Sequence, residues 1–225
     1  MRLIDRRSLA VTLDRVNDAL FSGRAIPRSA RSEAAAWIAG RQGLPGCYAD
    51  MFAPTKQDFA GAHLFTGEAI ASRAATAHVL GEEAMRALRL LGITSPAVIG
   101  ALARAKDGME ARLGGGASQP VGLYCCGTCS CAYWRNLAAG GLDHGEARLA
   151  QGMKGLKARR LGTGRWRVFP FFYTVLALTE IELPGARAEL HYAAPVLERY
   201  LQSATTGNLT SQRRHALAER ALARC

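Results

Sequence analysis

The chain has 225 residues, 49% of them apolar, and carries a formal net charge of +11 at pH 7. This length and composition exclude an intrinsically disordered chain and are typical of one large folded domain or two small ones. Residues 168–179, the longest apolar run without charge, are too few to cross a bilayer, and the charged start 1–7 does not resemble a secretory signal. We therefore expect a cytoplasmic protein without a membrane span, whose cysteines are thiols or metal ligands rather than disulfides.

Apolar residues recur at three- and four-residue steps through the first half of the chain, which is the helical period. The dipeptide Ser95-Pro96 is a strong signal for a helix start. The pattern predicts helices over 5–21, 27–41, 55–61, 69–91 and 95–113. His78 and Glu82 lie four residues apart on the longest of these, where they could serve metal or acid–base chemistry, or simply form a surface hydrogen bond.

The second half is also helical, and no strong strand or hairpin signal occurs in the chain. The predicted helices cover 132–139, 143–161, 168–178 and 209–223. A further helix follows a break at 183–185, has apolar residues in helical phase from 190 to 201, and should kink at Pro195. The fold class is therefore all-α, with stacked αα-hairpins in a partial toroid or an irregular helical array. We divide the chain into an N-terminal half, 1–113, a Gly-rich linker, 114–122, and a C-terminal half, 123–225, although one continuous domain would also fit.

Four of the six cysteines fall within eleven residues, 124–134, as Cys125, Cys126, Cys129 and Cys131. The C-x-x-C spacing of Cys126 and Cys129 allows two sulfur atoms to converge on a metal ion or on each other. Thr128 or Ser130 is a candidate N-cap for the helix that follows. A position at a helix N-terminus favours the thiolate over the thiol.

Side-chain directions limit how many of these cysteines can act together. Residues two apart on a helix point about 200° apart, so Cys129 and Cys131 cannot share one ion, and Cys131 is predicted to be buried in the core. Adjacent residues of an extended segment point to opposite sides, so only one of Cys125 and Cys126 faces Cys129. We choose Cys126, with Cys125 as the alternative.

The cluster has three interpretations: packing alone, metal binding, and thiol redox or nucleophilic chemistry. For the last, Cys126 and Cys129 are the candidate catalytic residues. For zinc or an iron–sulfur cluster, the candidate ligands are Cys125, Cys126, Cys129 and His144. A mononuclear site usually takes four ligands, and His191, Cys47 or Cys225 are other candidates to complete it.

Six basic residues occur among the fourteen residues 154–167, which could contact phosphates or could simply form a solvated helix end. The net charge likewise indicates an anionic partner, either a small molecule or nucleic acid, although arginine is abundant throughout the chain. An alternative function is an enzyme with a helical pocket for an apolar or phosphorylated small molecule. The pocket would be lined by Phe171, Phe172, Tyr173 and Trp134, and Arg165 and Arg167 would bind the anionic group. A third possibility is a helical-repeat interaction module with basic faces.

Residues 149–181 contain an amphipathic helix, a turn with Gly164-Arg165-Trp166, and an aromatic helix. This span resembles a repeat of the terpenoid cyclase and prenyltransferase αα-toroid family, in which a Gly-x-Trp turn joins two helices. The family has glutamine four residues before that glycine, whereas this chain has Arg160, and its aspartates form no cluster of the cyclase type. The resemblance therefore implies a helical-hairpin fold and transfers no catalytic residue.

Overall fold

The structure, a computed structural model, describes residues 2–114, 121–202 and 207–225. Over these ranges it contains nine α-helices and no named strand, which confirms the all-α fold class. None of the described helices is long and apolar enough to cross a membrane. The stacking of the helices as a partial toroid stays a prediction.

By their internal contacts, the residues form two compact units. Unit 1 comprises Met1–Phe65, Ala69–Gln119 and Ala139–Asp143, and unit 2 comprises Thr66–Glu68, Pro120–Ala138 and His144–Cys225. The predicted linker, 114–122, lies mostly outside the described residues, so the boundary that we placed there stays a prediction.

Unit 1 contains four α-helices, and α3 packs against the three others. They are α1 (Leu9–Phe21), α2 (Arg28–Ala39), α3 (Arg73–Leu91) and α4 (Pro96–Arg112), with a single 3-10 turn at Asp58–Ala60. Three of these helices begin after a serine whose hydroxyl oxygen accepts a backbone N–H of the first turn, which compensates for the missing intrahelical bond. The capping serines are Ser8, Ser72 and Ser95.

Unit 2 contains the other five helices of the described chain. They are α5 (Gly127–Ala138), α6 (Gly145–Lys157), α7 (Phe171–Leu178), α8 (Pro184–Gln202) and α9 (Leu209–Leu222). Helix α5 packs against α6 and α7, while α8 packs against α6, α7 and α9. Helix α7 is buried at every position except Phe172, as its uniformly apolar sequence predicts.

Three helix boundaries in unit 2 differ from the prediction. Helix α5 begins at Gly127, before either predicted cap. Helix α6 begins after His144 instead of Asp143 and ends at Lys157. Helix α7 begins only at Phe171, because the backbone at Val168 is left-handed, with φ 61°, and Pro170 is extended. The chain between α6 and α7 is therefore a longer loop than predicted.

Candidate metal centre

Cys126 occupies the cap position of α5. Its carbonyl oxygen accepts the backbone N–H of Ser130 at 2.9 Å, and its sulfur accepts the backbone N–H of Cys129 at 3.4 Å. The sulfur thus takes the role that a serine or aspartate oxygen takes at most helix starts. Neither Thr128 nor Ser130 is the cap, which corrects the prediction: both lie inside the helix.

The hydroxyl of Ser130 fixes the segment that precedes the helix. It donates to the carbonyl oxygen of Cys126 at 2.8 Å and accepts the backbone N–H of Tyr124 at 2.9 Å. These two bonds join the chain on either side of Cys125. The conformation of the two adjacent cysteines is therefore set by a residue within α5.

Gly127 allows another backbone segment to approach the start of α5. A Cβ atom at this position would lie 2.2 Å from the carbonyl oxygen of Val168 and 2.8 Å from Cα of Phe169. Both are backbone atoms, so no side-chain rearrangement would make room. Glycine between the cysteines is thus required by packing of the segment 168–169.

The structure brings Cys125 and Cys129 together. Their sulfur atoms lie within 4.8 Å of each other, and all six cysteines, each in the described part of the chain, are free thiols. Cys129 is fully buried, whereas Cys125 and Cys126 are exposed. The pair that we chose from the sequence was Cys126 and Cys129, with Cys125 as the alternative. In the structure the side chains of both Cys125 and Cys126 interact with that of Cys129, and the Cys126 sulfur also caps the helix, so the choice of pair stays a prediction.

Burial and mutual proximity oppose ionisation of these cysteines. Burial raises the pKa of the Cys129 thiol, and the neighbouring thiols of Cys126 and Cys125 raise it further. Burial likewise raises the pKa of Cys125, although its hydrogen bond with Cys129 acts in the opposite direction. The sequence predicted that the helix N-terminus would favour thiolates here. That prediction is wrong for Cys125 and Cys129 in the metal-free protein, because desolvation outweighs the helix dipole.

Cys131 lies in the core, as the helical geometry predicted. Its side chain is fully buried, its sulfur lies 3.4 Å from the hydroxyl oxygen of Thr174, and burial raises its pKa to about 12. It is therefore an inert packing residue.

The proposed fourth ligands do not join the cysteines. His144 precedes α6, where Gly145 contacts Leu137 near the end of α5. That end is about 12 Å along the helix axis from Cys129, since each residue rises about 1.5 Å. Within the described residues, no group of three close ligand atoms includes any of the candidates His144, His191, Cys47 and Cys225.

The residues named as cofactor-binding candidates differ in their burial. Trp134 is fully buried, donates to the carbonyl oxygen of Gly122 at 2.7 Å and stacks on Phe169. Tyr173 is also buried, whereas Arg165 and Arg167 are exposed. Two of the four residues thus lie in the core and two on the surface, and the ligand pocket stays a prediction.

Helix α3 of unit 1 carries four buried ionisable residues whose burial was not predicted from the sequence, and we call them the polar row: His78, Glu82, Glu83 and Arg86. The His78 and Glu82 side chains are 3.2 Å apart and both are buried, which corrects the expected surface location. Asn17 links Glu83 and Arg86, donating to the first at 3.2 Å and accepting from the second at 2.8 Å. The spacing of His78 and Glu82 was noted in the sequence, but nothing there indicated their burial, because polar residues in this pattern look like an ordinary solvated helix face.

We compared the chain with protein-family models, curated proteins and solved structures, and found no match among any of the three. The function must therefore be argued from the geometry of the chain itself.

Proposed function

We propose that this protein binds a thiophilic metal ion through the cysteines at the start of α5. The observation that supports this most is the sulfur pair of Cys125 and Cys129, within 4.8 Å of each other, at a helix start capped by the sulfur of Cys126. Thiolate is the preferred ligand of zinc, copper(I) and iron–sulfur clusters. Burial and the neighbouring Cys126 and Cys125 raise the pKa of the Cys129 thiol, and a bound cation would replace its proton and compensate the charge of the thiolate.

The donor set fits such an ion in three respects. The three sulfur atoms come from five consecutive residues, so a short segment supplies them all. Two of the three cysteines are exposed, which gives an ion access. The backbone N–H of Cys129 already points to the Cys126 sulfur at 3.4 Å, and hydrogen bonds of this kind orient and stabilise thiolate ligands.

We favour metal binding over thiol redox chemistry for this site. A redox or nucleophilic cysteine needs a lowered pKa so that the thiolate is present near neutral pH. The pKa values of Cys125 and Cys129 are instead raised by burial. A metal ion removes this obstacle because it replaces the protons directly.

The test is metal analysis of the full chain, purified without an affinity-metal step and combined with thiol counting. We expect one metal ion, or one cluster, per chain and protection of the bound thiols from alkylation. Cys125→Ser, Cys126→Ser and Cys129→Ser should each lower metal content, whereas the matched controls Cys47→Ser and Cys225→Ser should not. Equal metal content in all five variants would overturn the proposal.

X-ray absorption at the metal edge identifies the ion and counts its ligands. We expect two or three sulfur neighbours, at about 2.3 Å if the ion is zinc. A nitrogen neighbour would be assigned by substituting the five histidines one at a time. A first shell of oxygen alone would contradict a cysteine site.

A further inference from the structure

The loop between α6 and α7 contains a short two-stranded hairpin, residues 159–168, which we call the basic hairpin. The backbone N–H of Leu161 donates to the carbonyl oxygen of Arg165 at 3.0 Å, and that of Arg167 donates to the carbonyl oxygen of Arg159 at 2.9 Å. Gly162 and Gly164 have φ near 80°, which suits the tight turn at its tip. Its backbone is therefore an ordered ribbon.

The inner side of the basic hairpin is anchored to a buried carboxylate on α8. Glu189 is 1% exposed, and it accepts hydrogen bonds from the Trp166 indole at 2.8 Å and from the Arg160 guanidinium at 2.9 and 3.0 Å. A bidentate hydrogen bond from an arginine to a carboxylate is strong and directional. The ribbon is thus held in one orientation on unit 2.

Because side chains alternate along a ribbon, this anchoring directs the neighbouring residues outward. Arg165 and Arg167 are exposed, as are Leu161 and Val168. The Arg165 guanidinium lies over the ring of Phe171, 4.4 Å from its centre. The outer side therefore presents two arginines between two isolated apolar side chains.

The last turn of α6 extends the same cationic surface, since Lys154 and Lys157 are exposed there. No acidic residue occurs in the sequence between Glu146 and Glu180. Within the described part of the chain, no carboxylate pairs with any of the five side chains that form this surface, and the buried Glu189 is bonded to Arg160. The five residues are Lys154, Lys157, Arg159, Arg165 and Arg167.

We propose that this surface, the basic hairpin with the last turn of α6, binds the phosphate backbone of a nucleic acid. Arginine and lysine side chains neutralise phosphates and release condensed counterions, which drives such binding. The arginine fork also suits phosphate oxygens geometrically. Since the ribbon is already ordered, little conformational entropy is lost when it binds. This inference goes beyond metal binding and does not depend on it.

A lipid surface fits these observations less well. Peripheral membrane binding needs a continuous apolar face that enters the lipid. The apolar face of α6 is instead buried in unit 2, with Leu149, Met153 and Leu156 nearly inaccessible. Leu161 and Val168 are isolated exposed side chains, and isolated apolar residues are common on soluble surfaces.

The test measures fluorescence anisotropy of a labelled 20-base-pair DNA duplex and a labelled single-stranded RNA, titrated with the full chain over a series of salt concentrations. We expect binding that weakens steeply with salt. The double variant Arg165→Gln/Arg167→Gln should reduce the salt slope for duplex DNA by about 0.9 for each phosphate that the variant no longer neutralises, and weaken binding roughly tenfold at low salt.

The matched control is Arg187→Gln/Arg199→Gln, which removes the same charge from exposed positions of α8. We expect it to keep the parent's salt slope. Equal losses in both double variants would overturn the proposal, because net charge alone would then explain binding. Absence of salt-dependent binding to either nucleic acid would also overturn it, as would hairpin-dependent binding to phosphatidylserine vesicles without nucleic-acid binding.

Discussion

Unit 2 buries two ionisable groups in opposite ways. The Glu189 carboxylate is almost inaccessible but receives three hydrogen bonds from Arg160 and Trp166, so its charge is compensated inside the protein. The Cys129 thiol is equally buried, and burial together with the neighbouring Cys126 and Cys125 raises its pKa. A buried carboxylate with a bonded guanidinium holds its neighbours in place. A buried thiol beside other thiols is instead a candidate site for a cation. This contrast is why we assign a structural role to the first group and a ligand site to the second.

Removal of the Glu189 carboxylate should produce the largest change in stability. Glu189→Ala leaves the Arg160 guanidinium and the Trp166 indole without this acceptor, and breaking a buried charge pair costs about 3–5 kcal/mol. Chemical denaturation measures the free energy of unfolding. Glu198→Ala, at an exposed position of the same helix, is the control and should cost less than about 0.5 kcal/mol. Similar losses in both variants would show that the Glu189 network contributes no special stability.

A bound metal ion should stabilise the folded protein, because its positive charge would compensate the charges of the cysteine thiolates. An ion at 100 times its dissociation constant stabilises the folded state by about 2.7 kcal/mol, if it binds the unfolded chain much more weakly. Thermal denaturation with and without a chelator measures this shift. The Cys129→Ser variant should show a much smaller shift, and an equal one would place the stabilising ion elsewhere.

Affinity for the metal should increase with pH, because each thiol must release its proton. Below the thiol pKa values, the association constant should increase about tenfold per pH unit for every proton released. Competition titrations with a chromophoric chelator at several pH values, corrected for the chelator's own protonation, give this slope. A pH-independent affinity would mean that thiols are not the ligands.

Cys131 tests whether proximity in sequence is enough to make a ligand. Cys131→Ala deletes a fully buried sulfur next to Thr174 and should cost about 1 kcal/mol through the small cavity that remains. Metal content should be unchanged. Loss of metal from this variant, with its fold intact by circular dichroism, would contradict the division that we draw between Cys129 and Cys131.

A separate effect is expected in the pH dependence of the metal-free protein. Because the folded state holds the protons of Cys125, Cys129 and Cys131 above the ordinary thiol pKa, it binds more protons than the unfolded chain there. Their contribution is fully present below about pH 9 and decreases as the pH rises further. Cys129→Ala should flatten this decrease, as measured by urea denaturation between pH 8 and pH 10.

The helices were largely predictable because their signals are local. Apolar steps of three and four residues identified α1, α3 and α4, and the run 168–178 identified a buried helix that begins at Phe171. Ser95 was recognised as a cap, whereas Ser8 and Ser72 were not, so the predicted starts of α1 and α3 came too early.

The start of α5 was harder to predict, since a cysteine sulfur instead of an oxygen accepts the capping N–H. The approach of both Cys125 and Cys126 to Cys129 depends on the conformation that Ser130 imposes on the preceding segment, which the alternation of side chains in an extended segment does not predict.

Contacts between residues far apart in the sequence could not be predicted from its apolar periodicity. The bond from Trp166 to Glu189 spans 23 positions. The basic hairpin that it anchors was predicted as a turn, 162–167, with its ends assigned to the two flanking helices. The polar row of α3 was likewise indistinguishable from a solvated face until its burial was known. The spacing of apolar residues identifies the apolar face of a helix. It does not show whether other helices also bury the polar face.

The packing of Gly127 on the backbone of residues 168–169 has a practical consequence. A synthetic peptide that reproduces residues 121–138 would carry every cysteine of the cluster but not the segment that packs on its glycine, nor Phe169, on which Trp134 stacks. The intact chain has already lost conformational entropy during folding, whereas such a peptide would lose it when it binds an ion. The peptide should therefore bind the ion more weakly. Transplanting the motif into another scaffold would therefore require grafting both segments together.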